Sequence, residues 1–92
     1  MSDKYNHLQD IPEEQELLTI MMEECSEVIQ QCSKIIRFGN NMEQQMKLSG
    51  EIGDLLAMVD LLEKYCMIDI GYAEECMERK YGKLEYFSNL KV

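Results

Sequence analysis

Residues 17–37 read LLTIMMEECSEVIQQCSKIIR, and the apolar members Leu17, Met21, Cys25, Val28, Cys32 and Ile35 recur every three or four positions. This is the period of a helix with one apolar side. The same spacing returns from Met42 onward, where Leu48, Ile52, Leu55, Val59, Leu62 and Cys66 form one stripe. It returns again near the C-terminus, where Ala73, Met77, Lys80, Leu84 and Phe87 align. Helices are therefore predicted over about 11–37, 42–65 and 72–87. Phe38-Gly39-Asn40-Asn41 and Met67 to Gly71 interrupt the pattern, with Gly39 or Asn40 suited to the left-handed residue that closes a helix. Residues 1–10 are polar and read as an irregular arm, with Asp10 as N-cap and Pro12 in the first turn. Glu13, Glu14 and Glu16 then sit beside the positive helix end. Gly82 weakens the third helix by roughly 1 kcal/mol if interior. No segment reads as a strand.

The chain of 92 residues makes one domain, residues 1–92. A chain this short buries only roughly 60–65% of its unfolded surface, so an all-α helical bundle of three to four helices, completed by homo-oligomerisation, is expected. The net charge of −9 argues against a DNA or RNA partner and against anionic lipid. It leaves room for a phosphorylated small molecule if divalent cations stand between carboxylates and phosphates. The charged N-terminal stretch has no signal-peptide core, and no apolar run reaches the roughly 20 residues of a membrane span. Cys25, Cys32, Cys66 and Cys76 lack zinc-ligand spacing and read as small buried apolar residues in a reducing cytoplasm.

The informative residues are acids at positions a bundle helix keeps apolar. At about 100° per residue, Leu48, Leu55, Leu62 and Cys66 fall within about 60° of Glu51 on one side, and Met58 and Tyr65 within about 40° on the other. Asp54 lies about 60° away, still within the apolar arc. On the first helix Glu24 and Glu27 occupy the margin of the stripe, and Glu23 lies further out. Two such helices side by side bring four carboxylates together. Desolvated like charges need neutralising, and a hard cation such as Mg²⁺, which takes oxygen ligands and shares positions with phosphates, meets that need. On the third helix Lys80 falls inside the apolar arc between Leu84 and Phe87, with Lys83 at its edge; Lys34 and Arg37 follow Glu27 on the first helix. These cations are placed to pair with acids or reach phosphate oxygens. Periodicity alone leaves a second reading open, a catalytically silent oligomerisation or partner-binding module with its acids in salt bridges.

The order of these pieces resembles the MazG-like nucleoside triphosphate pyrophosphohydrolases of the all-α NTP pyrophosphatase superfamily. EECSE at Glu23–Glu27, followed after a gap by EIGD at Glu51–Asp54, looks like that family's EExxE…ExxD pattern, and ERKYGKLEYF near the end agrees. The resemblance covers roughly Leu17 to Phe87. It implies Glu24, Glu27, Glu51 and Asp54 as ligands of Mg²⁺, with Mn²⁺ as a substitute, and basic residues near the triphosphate, for which Lys34, Arg37, Lys80 and Lys83 are the candidates. It further implies hydrolysis of a nucleoside triphosphate to the monophosphate and pyrophosphate, Glu24 or Glu27 as proton acceptor, and a homodimer or homotetramer. Glu23 would stand behind the ligands. The chain departs from expectation in having no Trp to stack a base; Tyr5, His7 and Phe38 could contribute, although a core position suits Phe38 better. The methionines, Met21, Met22, Met58 and Met77 among them, read as core filler.

Overall fold

The computed structural model describes residues 12–92, and these are all-helical: α1 (Glu13–Phe38), α2 (Met42–Lys64) and α3 (Ile70–Phe87), with no strand among the described residues. The expected arm over residues 1–10, the Asp10 cap, Tyr5, His7 and a helix start at residue 11 lie outside the described residues. Within them Pro12 takes the N-cap position, and its carbonyl accepts from Glu16 N at 2.9 Å. Glu13, Glu14 and Glu16 supply the negative first turn.

α1 ends where expected. Gly39 has φ 97°, a value that strains any residue carrying a Cβ, and its N–H reaches the Ile35 carbonyl at 2.8 Å. Asn41 then caps α2, its Oδ1 accepting from Gln44 N at 3.0 Å. The second turn differs from the expectation. Cys66, placed by periodicity on the apolar stripe, instead leaves the helix with φ 57°. The N–H of Met67 bonds to the Leu62 carbonyl at 2.8 Å and that of Cys66 to the Glu63 carbonyl at 2.9 Å. This is a Schellman closure with Cys where glycine is usual, and Met67 packs back on the core beside Leu62. Asp69 at once caps α3 by accepting from Tyr72 N at 3.0 Å, so Gly71 lies inside a helix and not in the break.

α1 and α2 form an antiparallel pair, since Leu17 packs with Met58 and Leu62 at one end while Gln31 meets Gln44 at the other. The seam residues Leu17, Glu24 and Gln31 are seven apart and are the buried residues of α1. That heptad spacing is the pattern of two helices crossing at a shallow angle. The buried apolar core is small: Leu17, Met58 and Leu62, with Ile20, Met21, Leu61 and Met67 against it.

α3 does not complete the bundle. It buries no residue, and only Ile70 and Leu84 are half-buried. Lys80, expected inside an apolar arc, is exposed, as are its intended neighbours Met77 and Phe87. The arc exists on the helix, but neither α1 nor α2 covers it. Phe38, Met22, Cys32, Cys66 and Cys76 are likewise exposed, against the expectation of buried packing, while Cys25 is half-buried and Met58 buried.

The reason lies in the width of the α1 arc. Leu18, Met22, Ile29 and Ile36 are all exposed, Ile36 at 85%. They lie about 120–160° round the helix from Glu24, whereas Leu17 is about 20° away. α2 covers one edge of the arc, the edge that holds Glu24, and leaves the other edge open. The radius of gyration, 15.9 Å, exceeds the roughly 12 Å of a compact domain of this length.

Candidate metal centre

The mid-seam is where the two helices place their acids. Glu24 and Glu27 are one turn apart in α1, and Glu51 and Asp54 are one turn apart in α2, so antiparallel packing sets the pairs opposite each other. One carboxylate oxygen from each of the four lies within 4.8 Å of the others. The four acids expected from sequence are thus brought together. Their burial reverses the expected order, however. Glu24, read at the margin of its stripe, is 3% exposed, while Asp54, read inside the arc, is exposed; Glu27 and Glu51 are half-buried. The open apolar edge of α1 had pulled the apparent centre of the stripe away from the true contact line.

Electrostatics bear the mark of this crowding. The Glu51 carboxyl is held above its ordinary value, first by a side-chain hydrogen bond with Glu27, which requires a proton shared between the two carboxyls. Burial adds to the shift, and so do the negative charges of Glu27, Asp54 and Glu24. Oε2 of Glu51 is shielded from solvent with no hydrogen-bond partner among the described residues, and Oε2 of Glu24 is also shielded. A buried oxygen acceptor facing other acceptors is the environment a cation relieves. The donor set contains oxygen alone, with no histidine or thiolate, and suits a hard divalent ion such as Mg²⁺ or Mn²⁺.

Other candidates sit apart from this convergence. Glu23 is half-buried but is not one of the four acids that meet. Lys34 and Arg37 are exposed toward the C-terminal end of α1, about 10 and 15 Å along the axis from Glu27. The Arg37 guanidinium lies 5.2 Å from the Phe38 ring centroid. Lys80 and Lys83 are exposed on α3.

Sequence reasoning missed the amide clasp beyond the acids. Buried Gln31 donates Nε2 to Gln44 Oε1 at 2.7 Å and to the Gln44 carbonyl at 3.4 Å. The heptad step from Leu17 through Glu24 to Gln31 was the available signal. No family model, curated protein or solved structure matches this chain.

Proposed function

We propose that this chain is a divalent-metal-dependent hydrolase that converts a nucleoside triphosphate to the monophosphate and pyrophosphate, as its resemblance to the MazG-like enzymes implies. The observation that carries the reading is the meeting of four carboxylates from two antiparallel helices within 4.8 Å. Glu24, Glu27, Glu51 and Asp54 would hold the ion. Mg²⁺ or Mn²⁺ bound there would neutralise the acids, engage phosphate oxygens and make water a better nucleophile.

The chain's own residues supply the remaining functions. Glu24 or Glu27 accepts the proton of the attacking water as the bond to the pyrophosphate group breaks. Lys34 and Arg37 offer positive charge from α1, and Lys80 and Lys83 from α3. For the latter two to touch phosphate, α3 of the same chain or of a second copy must lie over the acids. Homo-oligomerisation, as a dimer or tetramer, is supported by the open stripe Leu18, Met22, Ile29 and Ile36. The accessible surface of 7381 Å² also exceeds the roughly 5,500 Å² of a compact monomer of this mass. A cytoplasmic setting agrees with the exposed free thiols of Cys32, Cys66 and Cys76. No helix among the described residues is long and apolar enough to cross a membrane.

The test is pyrophosphate release from a panel of canonical and modified nucleoside and deoxynucleoside triphosphates with Mg²⁺. Release from at least one substrate is expected; a folded sample inactive on all of them would overturn the reading. The same open apolar stripe also favours a second reading, a silent oligomerisation module. In that case millimolar Mg²⁺ would raise the melting temperature no more than an equal ionic strength of NaCl.

A further inference from the structure

A second concavity lies on the same seam as the acids. Its apolar lining comes from Leu17 and Ile20 of α1 and Met58 and Leu61 of α2, and its volume is about 220 Å³. Leu17 and Met58 are buried, Ile20 and Leu61 half-buried. Glu13, Glu16 and Tyr65 complete the lining, and Glu16 is the half-buried one of the three. The volume falls below the roughly 300 Å³ at which pockets for whole drug-sized ligands begin, and so suits one flat ring system.

Its position follows from helical geometry. Glu13, Glu16, Leu17 and Ile20 share one sector of α1 with Glu24 and Glu27, and Met58, Leu61 and Tyr65 share one sector of α2 with Glu51 and Asp54. Ile20 and Leu17 lie about 6 and 10 Å along the axis from Glu24; Met58 and Leu61 lie about 6 and 10 Å beyond Asp54. In the opposite direction the seam is closed by the Gln31–Gln44 clasp. A nucleotide anchored at the acids by its phosphates and lying along this seam can therefore seat its base only at the Leu17–Met58 end.

The two carboxylates of the pocket then restrict which base fits. Two carboxylates accept hydrogen bonds and donate none, so they favour a base edge made of N–H donors and disfavour one made of carbonyls. Guanine presents a ring N–H beside an amino group, and two adjacent donors meet a carboxylate in the bidentate manner that makes such pairs strong and selective. The apolar walls and the Tyr65 ring offer surface to its faces.

We infer that the Glu13–Glu16 pocket is the base-recognition site and selects guanine over bases that lack the 2-amino donor. This rests on the nucleotide reading above, and its test uses ligands that need neither metal nor turnover. Methyl and aromatic NMR spectra of the full chain are titrated with free guanosine and free inosine, which differ by the 2-amino group alone. Guanosine should shift the Met58 and Leu61 methyls and the Tyr65 ring with roughly tenfold tighter binding than inosine. Glu13→Gln with Glu16→Gln turns an acceptor into a donor on each side chain and should bring that ratio close to one, with the spectrum of the free fold unchanged. Glu16→Gln alone should lose most of the preference. Equal response to the two nucleosides, no response at Met58 and Leu61, or an unchanged ratio in both variants would overturn the inference. Pyrophosphate release judges the catalytic reading separately: guanosine selectivity without turnover would keep the pocket and remove the hydrolase, and turnover without selectivity would do the reverse.

Discussion

Glu24 and Gln31 are seven residues apart on one face of one helix, both polar and both buried, yet their surroundings on α2 are opposite in kind. Gln31 faces Gln44, whose side-chain oxygen lies 2.7 Å from its Nε2, so acceptor meets donor. Glu24 faces Glu51 and Asp54, with Glu27 beside it, so acid meets acid. The amide end of the seam is therefore a neutral donor–acceptor pair, while the acid middle gathers like charges whose repulsion protons or a cation would relieve. The same heptad face thus carries a neutral amide contact at one place and a concentration of negative charge at the next, and the second is the arrangement that suits a cation.

That contrast can be broken by experiment. Glu24→Gln and Asp54→Asn should each lower pyrophosphate release by at least about 100-fold while leaving the far-ultraviolet circular dichroism unchanged, because each removes an oxygen ligand without removing volume. Turnover within a few-fold of wild type in both variants would place the chemistry elsewhere. Mg²⁺ at about 100 times its Kd should stabilise the wild type by roughly 2.7 kcal/mol in thermal melts. Glu51→Gln should lose most of that gain and, without metal, melt above the wild type, since one of four like charges is gone.

The pH dependence sharpens the comparison further. Glu51 titrates above its ordinary 4.5 in the folded protein, so the folded state holds this proton more tightly than the unfolded chain does. Metal-free stability should therefore fall as pH rises from about 4.5 through the raised folded value, the full penalty being present above it. Melts at about pH 5 and pH 8 should show this slope in the wild type, and it should shrink in Glu51→Gln or with Mg²⁺ present. Gln31→Ala is the smallest expected effect, a loss of about 1 kcal/mol that neither Mg²⁺ nor pH alters. A metal-dependent loss at Gln31 would mean that the two ends of the seam are not independent.

Much of this is legible in the sequence. The three helices, the stop at Gly39 and the four acids follow from period, turn chemistry and charge, because each is a local property of the backbone or of spacing along one helix. The second turn was less legible, since a left-handed Cys66 is held by the bonds of Met67 and Cys66 to the preceding carbonyls and by Met67 packing on the core, and not by its own preference. The burial order of the acids is not legible in the sequence for a related reason. An apolar arc records how much of a helix avoids water, but not which edge of it meets a given neighbour.

By itself, then, the sequence determined the helical class, the boundaries at Gly39 and Phe87, and the pairing of acids one turn apart on α1 and on α2. Tertiary structure decided that Glu24 goes deepest, that Gln31 clasps Gln44, and that α3 buries no residue and leaves Lys80 and Lys83 exposed. The division has a physical basis. Spacing along a helix is set by a fixed rise and twist, whereas the line on which two helices touch is chosen by side-chain fit across the whole interface.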